Sequence, residues 1–346
     1  MKKIFLGFLL IVSLCGRVFS DILINTPCSL VYVHIGPKLP DYLSIAVSQA
    51  RLFNPEVPIY LLAESVALND FDYEKEKINL IPLESLTISD SHKRFNHYIR
   101  TKGFWRYALE RFLYLDDFIQ QYKLTNVFHT ENDVMIYFDL LEKLPLFQEY
   151  YKGMIASVFD CDERSVPSFV YFSTPIPSFE FAKYISKKGL KGANDMYLLS
   201  DFKDLHYKTL ADHLPILIPA YAKDHELKSL YKKTARSPAP YINNLDKFGL
   251  IFDAAAIGQF LGGIDPILGN RGPGFVGELS VFLSHLFTYE WQMDNNQRWI
   301  PYISYGGVKY PIANLHIHCK NLVLFSSLNS KFPTLPTKAY SSVPIN

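Results

Sequence analysis

Two short segments of this chain carry the residue types from which a metal and phosphate site can be built. The first is His129-Thr130-Glu131-Asn132-Asp133, which follows Val127-Phe128 and runs into Val134-Met135-Ile136. Period-two spacing predicts that His129, Glu131 and Asp133 share one side of an extended segment. Two carboxylates two residues apart, at the carboxyl edge of a parallel sheet, can hold a hard divalent cation. An isolated pair of this kind is also how an ordinary solvated strand end reads. The second segment is Asn314-Leu315-His316-Ile317-His318-Cys319-Lys320. Its alternation predicts Asn314, His316, His318 and Lys320 on one face, with Leu315 and Ile317 turned inward. Imidazole is a metal ligand, and lysine meets a phosphate as a point charge. On its own, H-x-H also fits an edge strand with two surface histidines. Together the segments offer what a metal-bound diphosphate needs: a cation bridging phosphate oxygens and an ammonium to offset charge on the leaving group.

Other candidates are weaker. Asp253 opens a small-residue helix (Ala254, Ala255, Ala256, Gly258) that could pack beneath a substrate, and N-capping explains the aspartate equally well. The glycine-rich stretch from Gly262 to Gly277, with Asp265 and Arg271, lacks the spacing of a phosphate loop. Glu278 is a candidate general base. Lys232, Lys233 and Arg236 read as a lid over a diphosphate or as a solvated basic loop.

The elements around these segments point to an α/β fold. Ser29 to Gly36 (SLVYVHIG) and Val57 to Ala63 (VPIYLLA) are apolar, β-branched runs typical of strands buried on both faces. Between them Leu39 to Phe53 has helical spacing, with Leu43, Ala46, Val47, Ala50 and Phe53 on one side, so the three form a βαβ unit. Asp70 to Asp90 is mixed and charged and reads as a connection. Lys102 to Tyr122 is the strongest helical pattern. A strand over Asn126 to Val134, a helix over Leu140 to Tyr151, and strands at Gly153 to Phe159 and Phe169 to Phe172 follow. Asn194 to Phe202 and Phe252 to Leu261 read as helices, Lys228 to Asn244 as a long loop, and the chain beyond Phe325 as a loose tail.

Composition bounds the function. The 346 residues carry 35 Lys+Arg against 34 Asp+Glu, a formal charge of +1, which disfavours a nucleic-acid partner. With 49% hydrophobic and 15% aromatic residues the chain can bury a sizeable core. Lys2 and Lys3, an apolar run from Ile4 to Gly16, and Val18-Phe19-Ser20 have the order of a secretory signal peptide cleaved before Asp21. The run is shorter than the roughly twenty apolar residues of a comfortable membrane span, and an uncleaved anchor is the alternative. Cleavage would leave Cys28, Cys161 and Cys319, which form neither a disulfide framework nor a C-x-x-C zinc site. An exported bacterial protein, periplasmic or extracellular, fits this pattern, with no stable membrane span after cleavage.

The layout resembles the GT-A-fold, nucleotide-sugar-dependent glycosyltransferases, particularly the glycogenin-like and lipopolysaccharide galactosyltransferase group. Val31 to Gly36 resembles the family's first nucleotide-binding strand, and Trp105-Arg106-Tyr107-Ala108-Leu109 its arginine-bearing helix. Glu131-Asn132-Asp133 resembles the D-x-D motif, with glutamate in place of the first aspartate. Pro167 to Phe172 is similar to the strand lining the donor sugar, and Asn194 to Leu199 to the acidic helix start facing sugar and acceptor. His316, His318 and Lys320 are similar to the C-terminal histidine and lysine that complete the metal and phosphate shell, at a shorter spacing than the glycogenin-like pattern.

The resemblance spans about residues 28 to 325. It implies a single large domain over 21–325, with a nucleotide-binding half (about 28–140) and an acceptor half (about 141–325); the Ser-, Pro- and Thr-rich residues 326–346 read as a flexible tail by composition. It implies a mostly parallel sheet flanked by helices and a manganese or magnesium ion held by Glu131, Asp133, His316 and His318. His34, Gly36, Arg106 and Lys320 would contact the nucleotide sugar, and Asp195 and Asp253 would be catalytic. The partners would be a nucleotide-diphosphate sugar and a glycan, lipid or protein acceptor. A metal-dependent hydrolase using the same ligands, and an exported non-catalytic sugar-binding or adhesion protein, are the competing readings.

Overall fold

The strands β1 (Ser29–Val33) and β2 (Ile59–Ala63) are buried at every position, as two-sided apolar runs require. In the computed structural model, which describes residues 26–329 except 70, 73, 193, 228–234 and 263–279, they are interior strands of a seven-stranded sheet. The other members are β3 (Ile78–Pro82), β4 (Val127–Thr130), β6 (Ile155–Cys161), β7 (Arg164–Phe172) and β8 (Ala211–His213). The order is β3-β2-β1-β4-β7-β6-β8, and only β7 runs against the rest. The expected mostly parallel α/β architecture is therefore present. The chain reverses its direction of travel across the sheet between β1 and β4. That switch opens a crevice beyond their carboxyl ends.

Helices Leu43–Phe53 and Phe104–Tyr122 cover the sheet. The first buries the Leu43, Ala46, Val47, Ala50 and Phe53 stripe, and the second buries Leu109, Phe112, Leu113, Leu115 and Ile119. Two smaller sheets complete the fold. One is the antiparallel meander β9 (Thr288–Met293), β10 (Trp299–Tyr305) and β11 (Val308–Pro311); the other pairs β5 (Val134–Ile136) with β12 (Asn314–His316). No helix among the described residues is long and apolar enough to cross a membrane.

Several local expectations are corrected. The connection 70–90 contains β3, whose inward Ile78 and Ile81 were hidden among charged neighbours. The single strand over 126–134 is two strands broken by a turn at Glu131–Asp133, closed by Val134 N–H donating to Glu131 O at 3.3 Å. β7 begins at Arg164, well before Phe169, and a helix at Pro175–Lys188 was not anticipated. The small-residue helix starts at Ala256, not Phe252; a short helix at Ala239–Ile242 interrupts the expected loop 228–244, and another at Leu245–Phe248 follows it. The tail is docked beyond residue 325: Ser327 is buried, its N–H donating to Gln49 Oε1 at 3.0 Å and its hydroxyl to Trp299 O at 2.6 Å. The proposed leader (1–20), Lys232, Lys233, Asp265, Arg271, Glu278 and residues 330–346 lie outside the described residues.

Candidate metal and diphosphate site

The turn after β4 delivers Glu131 and Asp133 to the switch-point crevice. β12 reaches the same place because it pairs antiparallel with β5, with His316 opposite Val134 and Asn314 opposite Ile136. Ile317 N–H extends the ladder by donating to Asp133 O at 2.9 Å. His316 Nε2 thereby comes within 3.1 Å of Glu131 Oε2 and 3.2 Å of Asp133 Oδ1. One donor atom from each of Glu131, Asp133 and His316 lies within 4.8 Å of the others.

That donor set suits a divalent cation. Adjacent ligands around an ion with bonds of about 2.1 Å stand roughly 3 Å apart, so the existing spacing needs little adjustment. One imidazole nitrogen with two carboxylate oxygens is a set that manganese and related ions accept more readily than the oxygen-preferring magnesium. In the metal-free protein a proton fills this role. Burial pulls the His316 pKa down, but the Asp133 and Glu131 carboxylates outweigh it and raise the value to about 10. Burial pushes Asp133 the other way, yet His316 and Lys320 hold it well below the usual carboxylate range.

His316, and not His318, is the histidine at the carboxylates. The expected alternation fails because β12 ends at His316 and the chain turns, with Lys320 in the left-handed region at φ 61° and its N–H donating to Ile317 O at 3.0 Å. Asn314, which was to share the polar face, is buried instead and pairs with the backbone of Asp253. His318 lies behind His316, ring centroids 4.2 Å apart, with Nδ1 3.4 Å from Gln259 Nε2. Burial and the neighbouring His316 charge lower its pKa to about 4, so it is a neutral imidazole. The same turn brings Lys320 Nζ onto Asp133 Oδ2, 5.6 Å from the centroid of the Tyr42 ring.

On the far side of Glu131 the arginine is Arg111, not Arg106. Arg106 Nε bonds Glu110 Oε2 at 3.0 Å, and another of its nitrogens reaches Asn96 Oδ1 at 3.1 Å, outside the cluster. Arg111, on the inward stripe of the same helix, pairs with Glu131 Oε1 and reaches Asp195 Oδ2 at 2.6 Å. Asp195 starts the helix Asp195–His206, which precedes β8 and so begins at the carboxyl edge of the sheet. Burial raises its pKa to about 6 against the pull of Arg111. Sequence reading missed Arg111 and Tyr42; the position of Arg111 one turn before the buried Leu115 was the available signal for the arginine.

Asp253 lies outside the charged cluster, and of its two readings the capping one is nearer to its bonding. Its carboxylate is buried and accepts N–H bonds from Ile257 (2.9 Å), Gly258 (2.8 Å) and His316 (3.0 Å), so it braces β12 against the helix Ala256–Gly262. At Gly258 a Cβ would meet His316 O at 2.3 Å, which is why the two backbones can approach only through glycine. His129 is likewise separated from the carboxylates. It is fully buried with Nδ1 3.0 Å from Val31 O, and burial lowers its pKa to about 3. His34, just past β1, does border the crevice: its Nδ1 lies 3.2 Å from Asn132 Nδ2, and its Nε2 and Asn132 Oδ1 are buried without a partner. Gly36 follows it at φ 137°, a conformation open to glycine.

No protein-family model and no curated protein matches this sequence. Solved structures match it in outline. Mouse xyloside xylosyltransferase 1 is 9% identical with a TM-score of 0.43, covering 60% of this chain and 93% of that one. GlyE of Streptococcus pneumoniae TIGR4 is 14% identical with a TM-score of 0.36, covering 55% of this chain and 45% of that one, so this chain spans less than half of GlyE. The galactosyltransferase LgtC is 13% identical with a TM-score of 0.35, covering 60% of this chain and 83% of that one. Each of the three is a glycosyltransferase, and what this chain shares with them is the outline of an α/β fold.

Proposed function

We propose that this chain is a metal-dependent glycosyltransferase that moves a sugar from a nucleotide-diphosphate donor to a glycan, lipid or protein acceptor. The observation that carries the reading is the charge pattern at the switch point. Three carboxylates (Glu131, Asp133, Asp195) are matched by three cations (Arg111, His316, Lys320) in one continuous network. A divalent ion held there would take the place of the His316 proton and leave excess positive charge, which a diphosphate would neutralise. Ion and diphosphate therefore bind as a pair.

In this reading Glu131, Asp133 and His316 hold manganese or a similar ion, which would neutralise charge on the departing diphosphate. Lys320 moves from Asp133 to the phosphate oxygens. His34 and Asn132 offer their open polar atoms to the nucleoside, beside the side-chain-free backbone of Gly36. Arg111 and Asp195 form a buried polar pair that orients sugar hydroxyls. Asp253 acts as a positioning residue through the His316 backbone.

Thermal-shift titration of the purified protein with nucleoside diphosphates, with and without manganese, tests this. Stabilisation that requires both ligands is expected. Stabilisation by metal alone would favour a metal-dependent hydrolase, and none by either would favour a non-catalytic protein. We further propose export directed by residues 1–20, which N-terminal sequencing of the exported material would overturn by finding Met1.

A further inference from the structure

One stretch of surface departs from the near-neutral balance of the chain. Between Asp90 and Glu110 there is no acidic residue, yet Lys93, Arg94, Arg100, Lys102 and Arg106 fall there. Lys93 is matched by Asp90 at 3.3 Å and Arg106 by Glu110 at 3.0 Å. Arg94, Arg100 and Lys102 are exposed and have no carboxylate within ion-pair distance among the described residues. Beside them four aromatic side chains face solvent: Tyr98 is 52% exposed, Phe104 72%, Trp105 42% and Tyr107 45%. The Arg94 guanidinium sits 5.4 Å from the Tyr98 ring centroid, and the Phe104 and Trp105 rings are 5.0 Å apart.

The patch is anchored from beneath. Helix Asp90–Tyr98 buries Phe95 and His92, and His92 Nδ1 lies 2.6 Å from Asp117 Oδ2 on the Phe104–Tyr122 helix. A water-facing surface ordinarily disperses its large rings. Rings gathered with uncompensated cations have the composition of a water–lipid boundary. There aromatics settle among headgroups while guanidinium and ammonium groups meet lipid anions.

We propose that this patch docks the protein on a membrane surface bearing anionic lipids. A soluble carbohydrate would also stack on the rings, but it would leave the three cations unmatched. The Phe104–Tyr122 helix starts at the carboxyl edge of the sheet, and Phe104, Tyr107 and Arg111 fall on one helical stripe, so the docked face leads into the Arg111–Asp195 pair. If the reading under Proposed function holds, the acceptor lies at that lipid surface; the docking itself does not depend on it.

The test uses the full chain with vesicles of phosphatidylcholine alone or containing phosphatidylserine, read by sedimentation and tryptophan fluorescence. Phosphatidylserine vesicles are expected to bind the protein and to shift its emission to the blue, with the shift lost in Trp105→Phe. Each cation at an anionic surface is worth roughly fivefold in partition, so Arg100→Glu/Lys102→Glu should weaken binding by at least roughly 25-fold, and added salt should do the same. Equal binding to neutral vesicles, binding to neither, or sedimentation unchanged by Arg100→Glu/Lys102→Glu would overturn the proposal. So would a Trp105 shift with maltotriose and none with vesicles. Metal–nucleotide binding on the same samples reports separately on the transferase reading.

Discussion

His316 Nε2 stands 3.2 Å from Asp133 Oδ1, a contact made by pairing β12 with β5 across a long separation in sequence. In the metal-free protein the bridge is a proton whose pKa is raised to about 10 after burial is outweighed by Asp133 and Glu131. The unfolded histidine titrates near ~6.5. A raised folded-state value means the bridge contributes its full stability below that unfolded value and loses it as pH climbs through about 10. The melting temperature of metal-free protein should therefore fall across this interval, and His316→Gln should flatten the profile. Metal must displace the same proton, so manganese affinity should keep rising with pH beyond neutrality instead of levelling off just above ~6.5. A calorimetric pH series measures both.

Asp133→Asn removes the oxygen charge that balances both His316 and Lys320. Manganese-dependent nucleotide binding should disappear. The chain should remain folded by circular dichroism, because the amide keeps the volume of a side chain that packs at the crevice rather than in the apolar core.

Gly258 touches no ligand group, yet its substitution should be among the most damaging. An alanine Cβ would sit 2.3 Å from His316 O, so the helix Ala256–Gly262 and β12 must separate. Overpacking costs about 1–3 kcal/mol or more, and here the displaced atoms are backbone. Gly258→Ala should lower the denaturation midpoint by that amount and weaken manganese binding.

The contrast between these residues explains what was legible in sequence. Continuous apolar runs announced β1 and β2, and a 3.6-residue period announced the Phe104–Tyr122 helix, because each pattern is local. Glu131, Asp133, His316 and Lys320 could be picked out by residue type. Their partners could not, since the choice between His316 and His318 depends on where β12 ends, and Lys320 arrives through a left-handed turn that alternation does not encode. Residue type does not distinguish Arg106 from Arg111; helical spacing to Leu115 favours Arg111, and the packed helix shows that it is the one facing Glu131. Asp253 looked chemical and is a brace: the Ile257 and Gly258 N–H groups it accepts lie in its own segment, but the third, from His316, comes from a distant strand.

Arg111 should prove far more sensitive than Arg106. Arg111→Ala would leave Glu131 and Asp195 without their shared cation in a buried setting, and breaking such a pair costs about 3–5 kcal/mol. Arg106→Ala loses a partly exposed pair with Glu110, for which about 1 kcal/mol or less is expected. Chemical denaturation of the two variants side by side, with donor binding measured on each, checks the order. Equal effects would mean that Arg111 is not the arginine of the site.

Lys320 gives the sharpest separation between metal and diphosphate. In the metal-free protein its ammonium occupies Asp133 Oδ2, where it competes with a cation for the same oxygen. Lys320→Ala should therefore leave manganese affinity intact or strengthen it. Nucleoside diphosphate affinity in the presence of manganese should fall, because a charge-assisted contact worth about 1.5–3 kcal/mol is lost, or roughly ten- to a hundredfold. Lys320→Arg should recover part of that loss, since a guanidinium also pairs with phosphate oxygens although its reach and shape differ. Isothermal titration with manganese alone, then with nucleoside diphosphate at saturating manganese, resolves the two effects. If Lys320→Ala weakens both equally, the lysine organises Asp133 and does not move to the phosphate, and the left-handed turn at position 320 serves only to close the site.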